Sequence, residues 1–73
     1  MTATRFIIRF ERGSGAQPNL KGNYIAWEGG LLRPCSAQNH ATHYDHSNIA
    51  AGVAMRAAAA FRGARLEVLP VSV

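Results

Sequence analysis

The sequence predicts a small α+β domain: a small antiparallel sheet in β-β-β-α-β order, with one helix packed on one face. The alanine-rich residues 47–63 have the spacing of apolar side chains that a helix requires. Residues 5–11 alternate between apolar and polar side chains, as half-buried strands do. Glycine- and proline-containing stretches separate the remaining apolar segments, which are too short for further helices. The 73 residues form a single domain, 1–73.

The first strand is predicted at residues 5–11. Its alternation places three apolar side chains on a face that the helix covers and two arginines on the opposite face. These residues are Phe6, Ile8 and Phe10 on the covered face, and Arg5 and Arg9, with Ile7 and Glu11, on the open one.

Two further short strands are predicted before the helix. A loop rich in glycine, proline and asparagine is expected at residues 12–22, followed by the second strand at residues 23–27. The glycines of residues 28–30 supply a turn. The third strand occupies residues 31–33 and is expected to end before Pro34, so that the three strands form an antiparallel meander.

A histidine-rich segment at residues 35–46 leads into the helix. It has one cysteine and three histidines, which are residue types that bind zinc. Their spacing matches no common zinc motif, since there is no Cys-x-x-Cys pair. Solvated loop histidines are therefore predicted, and a metal site is kept as the alternative hypothesis for Cys35, His40, His43 and His46.

The helix is predicted to begin at a Ser47 cap and to end before a left-handed Gly63. The last strand follows at residues 65–73, and Pro70 predicts that it lies at a sheet edge. At 100° per residue, one helix face should rest on the sheet. That face comprises Ile49, Ala50, Val53, Ala54, Ala57, Ala60 and Phe61, which are expected to pack on Phe6, Ile8, Phe10, Leu66 and Val68.

The charge of the chain indicates an acidic partner. The net charge is +4, and seven of the eight basic residues are arginine, which makes bidentate contacts with carboxylates and phosphates. No apolar run approaches the roughly 20 residues that span a bilayer, so no membrane association is expected. The single cysteine cannot form an internal disulfide. A cytoplasmic protein is therefore expected.

Nothing in the sequence predicts an enzyme. Only four acidic residues are present, and no pair of them is placed for acid–base chemistry. No third group is placed to orient a Cys35–histidine pair for nucleophilic catalysis. We therefore expect a non-enzymatic interaction protein with no cofactor and no metal.

The chain resembles the small phage-encoded anti-CRISPR proteins. The resemblance lies in its size, the β-β-β-α-β order, the alanine-rich helix Asn48–Arg62 followed by Gly63, and the absence of a catalytic constellation. It is a likeness of type and not of motif, so it transfers no residue roles. It implies an inhibitor that binds a CRISPR effector complex in the host bacterial cytoplasm and blocks recruitment of target DNA. A basic chain is then expected to dock on an acidic protein surface or on bound nucleic acid.

Two surfaces are predicted to bind the partner. The first contains arginines on the open face of the sheet and beside it: Arg5, Arg9, Arg12 and Arg65. The second is the outer face of the helix, which has no acid: Met55, Arg56 and Arg62, with Gly52 and Ala59 on the same face. The second surface and the apolar C-terminal residues also predict a homodimer. The alternative function is a small nucleic-acid-binding module that uses its arginines.

Overall fold

The computed structural model describes residues 4–72 and has the predicted α+β fold. Four strands form one antiparallel sheet in the order β3-β2-β1-β4, and the sequence order is β-β-β-α-β. Two short 3-10 turns, Pro18–Leu20 and Gln38–His40, lie in the loops. The main elements are β1 (Thr4–Arg12), β2 (Tyr24–Glu28), β3 (Leu31–Cys35), α1 (Ser47–Ala60) and β4 (Arg65–Ser72).

The centre of the sheet is the long antiparallel pair formed by β1 and β4. Their register runs from Thr4 opposite Ser72 to Phe10 opposite Leu66. By contrast, β1 pairs with β2 only where Arg9 faces Tyr24.

Tyr44 takes the place of β2 beside the first half of β1. Phe6 and Tyr44 each donate a backbone N–H to the other's carbonyl at 2.8 Å. Two residues earlier, the Thr42 N–H donates to the Ile25 carbonyl at 3.2 Å. The histidine-rich segment is therefore wedged between β1 and β2, an arrangement that the sequence did not predict.

The main core lies between the sheet and α1. Its buried members are Ile8, Phe10, Leu20, Ile25, Ala50, Val53 and Ala57. On the other face of β1, which was predicted to be open, Ile7 is also buried. Phe61 closes one end by an edge-to-face contact with Phe10, with ring centroids 5.3 Å apart. The prediction was wrong for Ile49, which is 50% exposed, and for Ala60, which is also exposed. The prediction is confirmed for Ala50, Val53 and Ala57, which are buried against the sheet, and the two small alanines allow the helix backbone to approach closely.

Both helix ends differ from the prediction. Ser47 is the first helical residue, and His46 occupies the N-cap position in an extended conformation without a side-chain capping bond. The helix ends at Ala60, where the Phe61 N–H donates to the Ala57 carbonyl. Gly63 has the predicted positive φ, +86°, but it lies within the turn after the helix.

The third strand continues through Pro34 to Cys35, two residues beyond its predicted end. Pro34 pairs with Ile25, whose carbonyl points away from β3 towards Thr42. The nitrogen of Pro34 therefore faces outward from the edge strand β3. No hydrogen bond to β2 is lost because proline lacks an N–H there. The last strand is observed to Ser72 and has Pro70 on an edge as predicted; Val73 lies outside the described residues.

Candidate functional site: the basic end

Three of the arginines predicted to face a partner have acidic neighbours within the chain. These pairs are partly exposed, so each adds little to stability. The Arg9 pair is the most enclosed, and its Nε donates to a carboxylate oxygen at 2.7 Å. The pairs are Arg5 with Asp45 (3.0 Å), Arg9 with Glu67, and Arg65 with Glu11 (3.3 Å).

Four cationic residues come together where β1 ends and β4 begins. Arg12 faces Arg65 in the ladder, and its Nε donates to the Gly63 carbonyl at 3.1 Å. The preceding residue, Arg62, follows the helix. Lys21 precedes Gly22, whose N–H donates to the Phe10 carbonyl at 2.9 Å near the end of β1. We call this group, Arg12, Lys21, Arg62 and Arg65, the basic end.

The basic end has most of the net charge. Its four cations and the one acid paired there, Glu11, leave a local charge of +3 out of the chain's +4. The pairs of Arg5 and Arg9 are neutral. The remaining +1 comes from two arginines and one glutamate that form no salt bridge within residues 4–72: Arg33, Arg56 and Glu28.

A cleft of about 540 Å³ adjoins Arg62. The loop of residues 14–17 forms one wall, and the end of the helix forms the other. The Gly15 N–H donates to the Arg62 carbonyl at 3.0 Å, and the Ser14 hydroxyl accepts the Gln17 N–H at 2.9 Å. These bonds hold the loop of residues 14–17 against the end of the helix, and they fix the position of the Arg62 backbone in the basic end.

The outer face of the helix has two different flanks. Met55 is 75% exposed and lines a groove of about 310 Å³ between α1 and β4. Arg56 lies on the other flank, where its guanidinium carbon is 6.0 Å from the centroid of the Trp27 ring. The predicted helix surface is thus split, with Arg56 directed to β2 and Met55 beside β4.

The histidine-rich segment does not assemble a metal site in the part of the chain that the structure describes. Across residues 4–72, no three His, Cys, Asp or Glu side chains are close enough together to bind a metal ion. Burial, reinforced by the negative charge of Glu28, raises the pKa of the Cys35 thiol above its usual value. The thiol therefore stays protonated at neutral pH, which disfavours it as a nucleophile or a ligand.

Comparison with family models, with curated proteins and with solved structures gave no match for the chain. No helix within residues 4–72 is long and apolar enough to cross a membrane. Sequence reasoning had placed Arg12 and Arg65 on one predicted surface and Arg62 on the other. The pairing of β1 with β4 sets Arg12 opposite Arg65, and the bond from Arg12 to the Gly63 carbonyl brings both near Arg62.

Proposed function

We propose that this chain is a non-enzymatic binding protein that docks on an acidic surface of a partner protein through its basic end. The observation that carries the proposal is the uneven charge: the basic end has a local charge of +3, while the middle and the opposite end of the β1–β4 pair are neutralised by ion pairs. A concentrated field of one sign orients an approaching partner and raises its association rate.

The position of the aromatic side chains favours a protein partner over nucleic acid. Proteins that bind single strands combine cations with aromatic rings on which bases stack. Trp27 is the one exposed aromatic residue between positions 4 and 72, and it lies beside Arg56, away from the basic end. Phe61, nearer the basic end, packs against Phe10. The nucleic-acid-binding module therefore remains the second candidate.

We further propose, from the resemblance to anti-CRISPR proteins, that the acidic partner is a CRISPR effector complex whose recruitment of target DNA is blocked. Expression of the chain in bacteria whose class 1 CRISPR systems target a plating phage should restore plaque formation in at least one system of a panel. Failure in every system of the panel would contradict this choice of partner. In that case the role of the basic end would still be tested by the binding measurements on its variants.

Two double variants with equal net charge test the docking surface. Arg12→Glu with Arg62→Glu and, as the matched control, Arg33→Glu with Arg56→Glu each lower the net charge by four units from +4. The probe is fluorescently labelled poly-glutamate, and a short DNA duplex is measured in parallel. We expect the basic-end variant to lose about tenfold or more in affinity for poly-glutamate, and the control to lose much less.

Equal losses in the two variants would show that only net charge matters and would contradict the proposal. Tighter binding to the duplex than to poly-glutamate, falling steeply with salt, would favour the nucleic-acid alternative. Thermal melting of both variants checks that the fold survives, since exposed substitutions usually change stability by about 0.5 kcal/mol or less.

A further inference from the structure

The cleft of about 540 Å³ beside Arg62 has a preformed backbone. One wall is the loop of residues 14–17, and the other is residues 60–62 at the end of α1. The Gly15 N–H donates to the Arg62 carbonyl at 3.0 Å and joins the two walls. A methyl group on Gly63 would lie 3.2 Å from the Gly15 nitrogen, so the two walls approach each other closely there. Preformed clefts of roughly 300–1,000 Å³ are the usual binding sites of small chemical groups.

Part of the lining of this cleft is apolar. Phe61 is half-buried, and its ring is held edge-to-face against Phe10 with the ring centroids 5.3 Å apart. Ala16 and Ala60 are exposed and lie on opposite walls of the cleft. An aliphatic side chain from a partner would cover Phe61 and the two alanines, and it would remove apolar surface of both molecules from water.

Two polar side chains of the cleft can donate to an acceptor. Ser14 is only 5% exposed although it lines the cleft, and its hydroxyl accepts the Gln17 N–H at 2.9 Å. The hydrogen of this hydroxyl has no acceptor within residues 4–72. Arg62, the one charged residue among the described residues that line the cleft, forms no salt bridge with them or with the rest of residues 4–72. An anionic acceptor would satisfy both side chains.

The charge next to the cleft favours an acid over a base. The Arg12 Nε donates to the carbonyl of Gly63, the residue after Arg62, at 3.1 Å. Arg12 also forms no salt bridge within the described part of the chain. The last carbonyls of α1 have partial negative charge, which repels an anion. A carboxylate is therefore accepted beside the Arg62 guanidinium, whereas the part of the cleft beside Ala60 takes an uncharged group.

A second copy of the chain is a poor source of this carboxylate. The chain has four acidic residues, and three of them, Glu11, Asp45 and Glu67, already pair with arginines of the same molecule. Two copies would also bring together net charges of +4 each. A different protein whose acidic residues are not paired therefore suits the cleft better.

We propose that the acidic partner inserts an aliphatic side chain into this cleft and places a neighbouring aspartate or glutamate beside Arg62. The aliphatic side chain packs on Phe61 between Ala16 and Ala60. The Ser14 hydroxyl donates to an oxygen of the same inserted segment. The inference rests on the proposed function, because it names the segment of the acidic partner that the basic end receives.

Two end-blocked peptides of equal charge test the cleft: Glu-Glu-Leu-Glu-Glu and Glu-Glu-Ser-Glu-Glu. Their binding to the isotopically labelled chain is followed by amide chemical shifts, which also detect weak complexes. We expect the leucine peptide to bind about tenfold more tightly, because burial removes its leucine side chain from water. It should also shift the amides of residues 14–17 and 60–62 the most. Equal affinities of the two peptides would overturn the proposal.

A matched pair of helix variants locates the leucine side chain. Ala60→Phe fills the cleft, whereas Ala59→Phe adds the same bulk at an exposed position that lines neither this cleft nor the groove beside β4. We expect Ala60→Phe to remove the advantage of the leucine peptide and Ala59→Phe to keep it. The same behaviour in both variants would overturn the docking site. If thermal melting shows that Ala60→Phe does not fold, Ala16→Phe fills the cleft from its other wall and should give the same result.

The carboxylate is tested by removing one guanidinium at a time. Arg62→Gln should weaken both peptides about fivefold, because it removes a partly exposed charge pair of about 1 kcal/mol. Arg56→Gln, which removes an arginine next to Trp27, is the control and should have little effect. Equal losses in the two variants would contradict a carboxylate beside Arg62.

Two other occupants would show themselves in the same experiments. A single-stranded thymidine oligonucleotide that binds more tightly than both peptides, and is weakened by Ala60→Phe, would assign the cleft to nucleic acid. A dimer in sedimentation that Ala60→Phe dissociates would assign it to a second copy. Either result would overturn the proposal.

The peptide pair separates this inference from the proposed function. If Arg12→Glu with Arg62→Glu weakens both peptides while the leucine and serine peptides bind alike, the basic end is retained and the cleft is wrong. If this double variant binds both peptides as tightly as the unmodified chain does, the proposed function fails, and the inference fails with it.

Discussion

At the scale of single residues, Tyr44 has an unfavourable environment for its hydroxyl group. Its hydroxyl is buried and has no hydrogen-bond partner within the described residues. Its backbone is fixed by two bonds to Phe6. Burial raises the pKa of the Tyr44 hydroxyl above its usual value, because the phenolate would be poorly solvated.

Replacing Tyr44 with phenylalanine should therefore stabilise the protein. Removing an unpaired buried hydroxyl is expected to raise the free energy of unfolding by about 1 kcal/mol. Denaturant unfolding at neutral pH measures the change, with Tyr24→Phe as the control for loss of a tyrosine hydroxyl elsewhere. An unchanged or lower free energy for Tyr44→Phe would show that the hydroxyl has a partner.

The raised pKa of Tyr44 also predicts that the protein loses stability at alkaline pH. The pKa in the folded state is above the unfolded value of about 10, so folding favours the protonated form. This contribution is fully present below about pH 10 and is lost as pH rises through the folded-state pKa. Unfolding measured from pH 8 to 11 in a Cys35→Ala background, which removes the other raised pKa, should show a flatter profile for Tyr44→Phe. Parallel profiles would contradict the assignment.

At the scale of elements, two glycines have opposite roles. Gly52 lies in the exposed part of α1, and a methyl group added there meets no atom within 4 Å. A methyl group on Gly13 would come within 2.6 Å of the Gln17 carbonyl oxygen, which belongs to backbone and cannot easily move. The loop between β1 and β2 therefore depends on Gly13, whereas the helix does not depend on Gly52.

We predict that Gly52→Ala raises the free energy of unfolding by about 1 kcal/mol, because alanine is the better helix former. Gly13→Ala should lower it, and urea unfolding of both variants measures the contrast. If Gly52 instead admits a closely approaching partner, Gly52→Ala will also weaken partner binding while it stabilises the fold. A destabilised Gly52→Ala would contradict the exposed helix position.

Local patterns predicted the elements but not their detailed placement. The alternation around Phe6, Ile8 and Phe10 predicted β1 and its covered face, because period-two burial is a local property. The insertion of Tyr44 beside β1 depends on a pairing across 38 residues, which no local pattern encodes. Ile49 and Ala50 were both assigned to the covered face by their angular position on the helix, but only Ala50 is buried.

At the scale of the whole molecule, sequence reasoning could predict the total charge but not its distribution. Composition fixes the net charge at +4 and led to the expectation of an acidic partner. The neutralising contacts join residues distant in sequence, such as Arg9 and Glu67, which are 58 positions apart. The basic end likewise exists because β4 returns antiparallel to β1 and brings Arg65 opposite Arg12.

The most direct test of binding at the basic end is a nuclear magnetic resonance titration of the isotopically labelled chain with a short glutamate peptide. We predict that the largest changes in amide chemical shift occur at Arg12, at residues 14–17 and at residues 62–65. These residues form or adjoin the basic end. If the largest changes occur at Arg33 and Arg56, or if the changes are spread evenly over the chain, binding at the basic end is contradicted.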